Sequence, residues 1–425
     1  MPSGAERVPE QPMFGRRLRA LRTDRGLSQA ELAGTEISAA YLSRLESGGR
    51  PPTPRVLAFL CAQLDVSPSE FRSSSGSPLT QALATVATMG DSPQAVRELE
   101  TALRQAGDMD AVLRWQAQWL LSRAYQAQGR AAEELGLLRD LVALADDIDL
   151  PDMRARSRVR LARRLRASGE LVEARAAASD ALALATSHAL SRRDVVEATL
   201  TLVSIDAETG QLGAARKRAD ELIGSLSSPP DGDASSQEVP PRLRVEALWT
   251  AAGVAVRQGD REGTTSLLDA ALTCMPSNED PVLWMRLRLA ATSMYLQMDP
   301  RDTAEARRRL DEARSAVALV GMPLHQLEVL LLECQLAFHE GRYALAGEIA
   351  ERLGAAPEGM SRRDQVALEI LRNQLAVIEG HPGPALAAME RIAKEARESG
   401  NVELSAEVWR ALAESLAAAN GVAHQ

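Results

Sequence analysis

The chain has 425 residues, 45% of them hydrophobic, 25% charged and 3% aromatic, with a formal net charge of −9. This composition suits a globular chain, and without an apolar run of about 18 residues no membrane-spanning helix is expected. The charge is uneven: residues 1–75 hold ten arginines against eight acids, a net of +2, so one end can approach a polyanion while the acidic remainder limits non-specific association.

Residues 1–11 carry three charges, two prolines and a glycine without periodicity, and read as a disordered tail. Arg7 is all they offer as a minor-groove arm. Nothing there pairs an apolar segment with a basic one, so no signal peptide is expected. A helix follows over Met13–Arg25, with Phe14, Leu18 and Leu21 inward and Gly26 closing it. Ser28 with Glu31 forms a capping box, Leu32 and Ala33 face inward, and Gly34-Thr35-Glu36 breaks the helix. Ser38 caps a second short helix whose apolar positions are Tyr41, Leu42 and Leu45. Its other side presents Ala39, Ala40, Ser43 and Arg44. Small residues beside one arginine suit a major groove, where arginine can bond a guanine edge in bidentate fashion. Thr53 caps a helix to Leu64 with Pro54 at its first position, and Ser67–Phe71 makes a last turn. Val56, Leu57, Leu60 and Leu64 complete a small core, with Phe59 or Cys61 at its edge.

From Phe14 to Phe71 this pattern resembles the repressor-type helix-turn-helix family, the Cro/C1-like or Xre-like regulators. The resemblance rests on Leu18-Arg19-Ala20-Leu21-Arg22, Arg25 through Gln29, Tyr41 through Gly48, Pro52-Thr53-Pro54 and Leu64 through Pro68. The turn between Ala33 and Ile37 is one residue shorter than the common form. The resemblance implies a five-helix domain over 12–72 that binds double-stranded DNA. Gln29, Ser38, Ala39, Ala40, Ser43 and Arg44 would face DNA, Arg44 reading a base while Gln29 and Ser43 bond phosphates or adjacent edges. It also implies that Arg22 on the first helix pairs with Glu46 at the end of the recognition helix.

Residues 73–79 are Ser/Gly-rich and read as a linker. Beyond it, turn glycines fall at Gly90, Gly129, Gly169, Gly210, Gly259, Gly341 and Gly380, with gaps of 39, 40, 41, 49, 82 and 39. The double gap has its missing turn at Met298-Asp299-Pro300-Arg301, and the 49 is stretched by a polar loop over 227–236. A period near 40 built from two helices means a stacked α-solenoid. Leu121 through Arg130, then Leu161-Ala162 through Gly169-Glu170 with Ala174, resemble the tetratricopeptide repeat. The fold expected is therefore all-α, a repressor-like domain followed by a tetratricopeptide-like solenoid over 80–420 that ends in a capping helix, Asn401–Asn420.

No phosphate loop, His-Glu-x-x-His helix or paired cysteines at metal spacing occur, so neither an enzyme nor a cofactor or metal site is expected. Asp146, Asp147 and Asp149 read as a solvated turn before Pro151. Cys61, Cys274 and Cys334 read as reduced, mostly buried thiols of a cytoplasmic protein. Scarce aromatics disfavour a stacking platform for single-stranded nucleic acid. Counted from the turns, Trp119, Arg123, Arg156, Arg163, Arg166, Trp249, Gln335, Phe338 and Gln374 face the inner groove. Trp119 with the four arginines makes a candidate ligand site for an acidic group.

A repressor-like domain joined to such repeats resembles the peptide-sensing quorum regulators of Gram-positive bacteria. The resemblance implies a homodimer assembled by the repeats and a peptide in their groove. Against a peptide stands the scarcity of backbone-clamping asparagines, with only Asn278, Asn373 and Asn401 between Ser77 and Val402. The alternatives are an adaptor whose repeats dock a protein partner and a purely structural solenoid.

Overall fold

The computed structural model describes residues 13–68, 71, 78–90, 92–105, 110–227, 240–354 and 360–422. The expected tail and residues 73–77 of the expected linker lie outside them. Among the described residues the fold is all-α, with twenty-one helices and no strand. No helix there is long and apolar enough to cross a membrane. The chain divides into two compact units, Met1–Ala117 and Gln118–Gln425.

The first unit opens with α1 (Met13–Asp24), α2 (Gln29–Ala33), α3 (Ala39–Glu46) and α4 (Pro54–Leu64). Local chemistry sets their ends. The Ser28 hydroxyl accepts from Glu31 N–H at 3.1 Å while Ser28 N–H donates to the Glu31 carboxylate at 2.6 Å. Ser38 and Thr53 cap α3 and α4 in the same sense, each contributing about 1 kcal/mol. Phe14, Leu18, Leu32, Leu42, Leu45, Leu60 and Leu64 close one core and are at most 1% exposed. Each such burial stabilises by about 1.5–3 kcal/mol. Of the fifth expected helix, Phe71 is described: it is buried, its ring centroid 5.0 Å from that of Phe14. Ser69 and Glu70 lie outside the described residues. Then α5 (Pro78–Met89) and α6 (Pro93–Gln105) form a hairpin that buries Leu79 and Val86 on one side and Val96 and Leu99 on the other.

Helix α7 (Ala111–Ala127) runs into the second unit and is followed by α8 (Ala131–Ile148). Further pairs are α9 (Pro151–Ser168) with α10 (Leu171–Ser187) and α11 (Arg192–Glu208) with α12 (Leu212–Ser227). After them come α13 (Pro241–Arg257) with α14 (Arg261–Thr273) and α15 (Pro281–Gln297) with α16 (Thr303–Val320). The last are α17 (Pro323–His339) with α18 (Tyr343–Leu353), α19 (Arg362–Ile378) with α20 (Pro382–Glu398), and α21 (Val402–Val422). The turn glycines Gly129, Gly169, Gly210, Gly259, Gly341, Gly380 and Gly400 have φ between +73° and +91°, a left-handed backbone that side chains disfavour. Ala174, Ala178, Ala181 and Ala185 on α10 have no exposed surface and let it lie close to α9.

The repeats do not leave an open groove along their whole length. Helix α19 touches α9, and α21 touches α11. A methyl group on Gly210 would lie 3.1 Å from Val402, and one on Gly169 would lie 3.3 Å from Arg362. The helix read from sequence as a terminal cap therefore packs back on the middle of the solenoid. Successive rotations between repeats bring it there, and no local signal records their sum.

Candidate functional site

Helix α3 is eight residues long and two-sided. Leu42 and Leu45 are fully buried, whereas Ser38, Ala39, Ala40, Ser43 and Arg44 are exposed. Arg44 Nε reaches the Ala40 carbonyl at 3.4 Å, and its guanidinium has no acid partner among the described residues.

Behind that face, Glu46 gathers three helices. Arg22 Nε on α1 donates to Glu46 Oε1 at 2.6 Å and a second guanidinium nitrogen donates to Oε2 at 3.1 Å. Gln29 Nε2 on α2 donates to the same Oε2 at 2.8 Å, and Arg22 also donates to the Leu27 carbonyl at 2.7 Å. Burial by itself would raise the Glu46 pKa, but the hydrogen bonds from Arg22 and Gln29 and the Arg22 charge outweigh it and hold the carboxyl below its ordinary range. Gln29 thus steadies α2 against α3 with the amide that the sequence reading directed at phosphates or adjacent base edges. A single sequence carries no signal for that choice, because Glu46 is 17 residues away.

In the second unit a cavity of about 260 Å³ opens among α7, α8, α9 and α11. Trp119, Arg123, Arg156 and Arg163 all line it, and Arg166 does not. Arg166 instead donates to Glu208 on α11 at 2.7 Å. Arg160 and Arg164, which the groove count missed, complete a wall of five guanidinium groups facing the carboxylates of Glu134, Asp194 and Glu197. Arg156 is bidentate on Asp194, at 2.7 and 3.1 Å, and Arg163 donates to the Thr201 hydroxyl at 3.0 Å. Arg160 stacks over the Trp119 ring at 4.7 Å. Arg164 lies 3.6 Å from Glu134 and keeps a buried Nε with no hydrogen-bond partner. Burial raises the Glu134 carboxyl against the pull of Arg164 and Arg160. Arg123 is exposed and makes no ion pair or hydrogen bond among the described residues. Five guanidinium groups thus line the cavity against three carboxylates, with Asp152, 3.3 Å from Arg156, as a fourth acid beside them.

The other groove positions separate. Trp249 packs with Leu267 and Leu272 against the repeat core. Gln335 and Gln374 line a different cavity near the C-terminal end, and Phe338 sits edge-on to His339 and Tyr343. Asp146 pairs with Arg154 and Arg158 at 3.0 and 2.8 Å, and Asp149 with Arg154 at 2.9 Å. Cys61 and Cys334 are buried, but Cys274, the C-cap of α14, is exposed.

Residues 13–73 match the helix-turn-helix domain family, and residues 80–404 match the MalT-like TPR region. The HTH-type transcriptional regulator PrpR of Mycobacterium tuberculosis is 41% identical over 75 residues, 17% of this chain and 15% of that protein. The chain therefore spans only a small part of that relative. Among solved structures, a Rap protein complexed with competence and sporulation factor has a TM-score of 0.49 at 12% identity, with 96% of each chain covered. The apo quorum sensor NprR of Bacillus thuringiensis has a TM-score of 0.47 at 12% identity, covering 95% of this chain and 97% of that one. PlcR of Bacillus thuringiensis, in complex with the peptide PapR7 and DNA, has a TM-score of 0.31 at 14% identity, covering 75% and 98%.

Proposed function

Because the chain belongs to the MalT-like TPR region family and carries an Xre-like helix-turn-helix domain, we propose that it is a cytoplasmic transcriptional regulator that binds double-stranded DNA sequence-specifically as a homodimer. The observation that carries this reading is the exposed face of α3, where Arg44 has no acid partner among the described residues, backed by the lock of Arg22 and Gln29 on Glu46. Arg44 then reads a guanine edge, and Ser38, Ala39, Ala40 and Ser43 let the helix approach the groove closely. One domain of this size buries roughly 600–1,000 Å² on DNA, too little to select a genomic site by itself. Pairing through the repeats supplies a second recognition helix.

The arginine-lined cavity is where we place the sensed ligand, a peptide or other molecule bearing a carboxylate. Arg123 and Arg163 supply charge-assisted hydrogen bonds, and Trp119 supplies an apolar wall. Binding alters DNA affinity only insofar as the ligand prefers one spacing of the two recognition helices. A tenfold change needs a coupling of about 1.4 kcal/mol.

Sedimentation of the full chain, with mapping of its binding sites on its own genome, tests the proposal. A dimer and an inverted repeat with half-sites about one helical turn apart, or a multiple, support it. A monomer bound to sites without symmetry overturns it.

A further inference from the structure

A second cavity, of about 380 Å³, lies among α13, α15, α17, α19 and α21. One face of α17 runs along it: Glu328, Leu332, Gln335 and His339 recur at helical spacing and span about 16 Å. Leu296 and Leu371 give it apolar walls.

The lining acids are satisfied, with one exception. Glu403 pairs with Arg363 and lies 3.5 Å from Arg257, and Glu407 accepts from Arg363 at 2.7 Å. Glu414 pairs with Arg301 at 3.3 Å, and Asp364 accepts from the Ser361 hydroxyl at 2.6 Å. Arg410 stands at the exposed edge of α21 and acts on Glu403 and Glu407. Glu328 alone among these acids has neither an ion pair nor a hydrogen bond among the described residues.

Burial, with the Asp364 charge adding to it and Arg286 opposing it, pushes the Glu328 carboxyl up to about 7. At the far end of the same helix face, burial and Arg301 bring His339 down to about 4, so its imidazole is neutral. A partly desolvated carboxylate without a paired cation is costly, and an incoming ammonium reduces that cost.

We propose that this cavity binds a small organic amine, its ammonium on Glu328 and its apolar body along Leu332 and Leu371. The volume holds roughly a dozen water-sized groups, room enough for a small amine with a short apolar body. The site is opposite in charge preference to the arginine-lined cavity and is independent of what that cavity senses. Because α21 forms one wall and α13, α15 and α17 the others, an occupant touches both the returning C-terminal helix and the middle of the solenoid.

The test is calorimetric titration of the full chain at pH 8 with hexylammonium chloride, hexanol and sodium hexanoate. Hexylammonium should bind saturably, more tightly than hexanol, while hexanoate should not bind. Its affinity should fall about tenfold per pH unit as the pH drops below 7, where Glu328 protonates. Glu328→Gln should weaken hexylammonium at least tenfold. This variant removes a half-buried charge that has no ion pair among the described residues, so its melting temperature at pH 8 should equal or exceed that of the parent. The double variant Arg123→Gln/Arg163→Gln should bind hexylammonium as the parent does. Absence of saturable binding, equal affinity in Glu328→Gln, a lowered melting temperature in that variant, or loss of binding in the arginine double variant overturns the assignment.

Discussion

Gly15 on α1 lies so close to α3 that a methyl group on it would stand 2.3 Å from the Leu45 carbonyl oxygen and 2.7 Å from that of Glu46. No side chain fits in that gap, so the two helices meet backbone to backbone, and the angle of the recognition helix depends on it. Gly15→Ala should force them apart, costing about 1–3 kcal/mol. Calorimetric melting reads the loss, and operator affinity should fall with it although Gly15 touches no DNA. An unchanged melt would mean that α1 yields freely.

Glu46 makes the same region sensitive to acid. Its side chain is 4% exposed and that of Arg22 12%. Glu46→Ala leaves the guanidinium without its partner, at a cost of about 3 kcal/mol, the lower end of the range for broken buried pairs because Arg22 keeps some solvent. The Glu46 pKa is lowered from the ordinary 4.5, so its contribution is present above that value and is lost as pH falls through the lowered folded-state value. Acid titration of the parent should therefore show a loss of stability that Glu46→Gln, already weaker at neutral pH, does not show. Parallel acid profiles would remove the pair from this role.

Arg44→Ala should cost about 1–3 kcal/mol on the specific site and little on random DNA, because a bidentate base contact discriminates and a phosphate contact does not. Gel shifts on both sequences at one salt concentration measure the difference. Equal losses would make Arg44 a backbone contact only.

Replacing Arg123 and Arg163 together by Gln should leave ligand-free operator binding intact and abolish the response to the native effector. Arg123 makes no ion pair or hydrogen bond among the described residues, and Arg163 gives up one hydrogen bond to Thr201 and a 3.8 Å contact with Glu197. Titrating effector into the operator complex reads the outcome. A normal response would reduce the cavity to solvated surface.

What the sequence determined by itself is local. Ser28, Ser38 and Thr53 cap helices within three residues, and the glycines at Gly129, Gly169 and Gly210 each carry their own left-handed turn, so helix ends and the period near 40 are written where they act. The all-α class follows from those signals. Tertiary structure alone decided which polar groups meet. Arg156 finds Asp194 at a distance of 38 residues, and Arg166 turns to Glu208 at 42, away from the cavity it was counted into. Val402 comes to rest on Gly210 almost two hundred residues earlier, and Glu328 is left without an ion pair or hydrogen bond among the described residues. A cap needs only neighbouring backbone, whereas these meetings depend on small rotations summed over many repeats, and no single stretch of chain contains that sum.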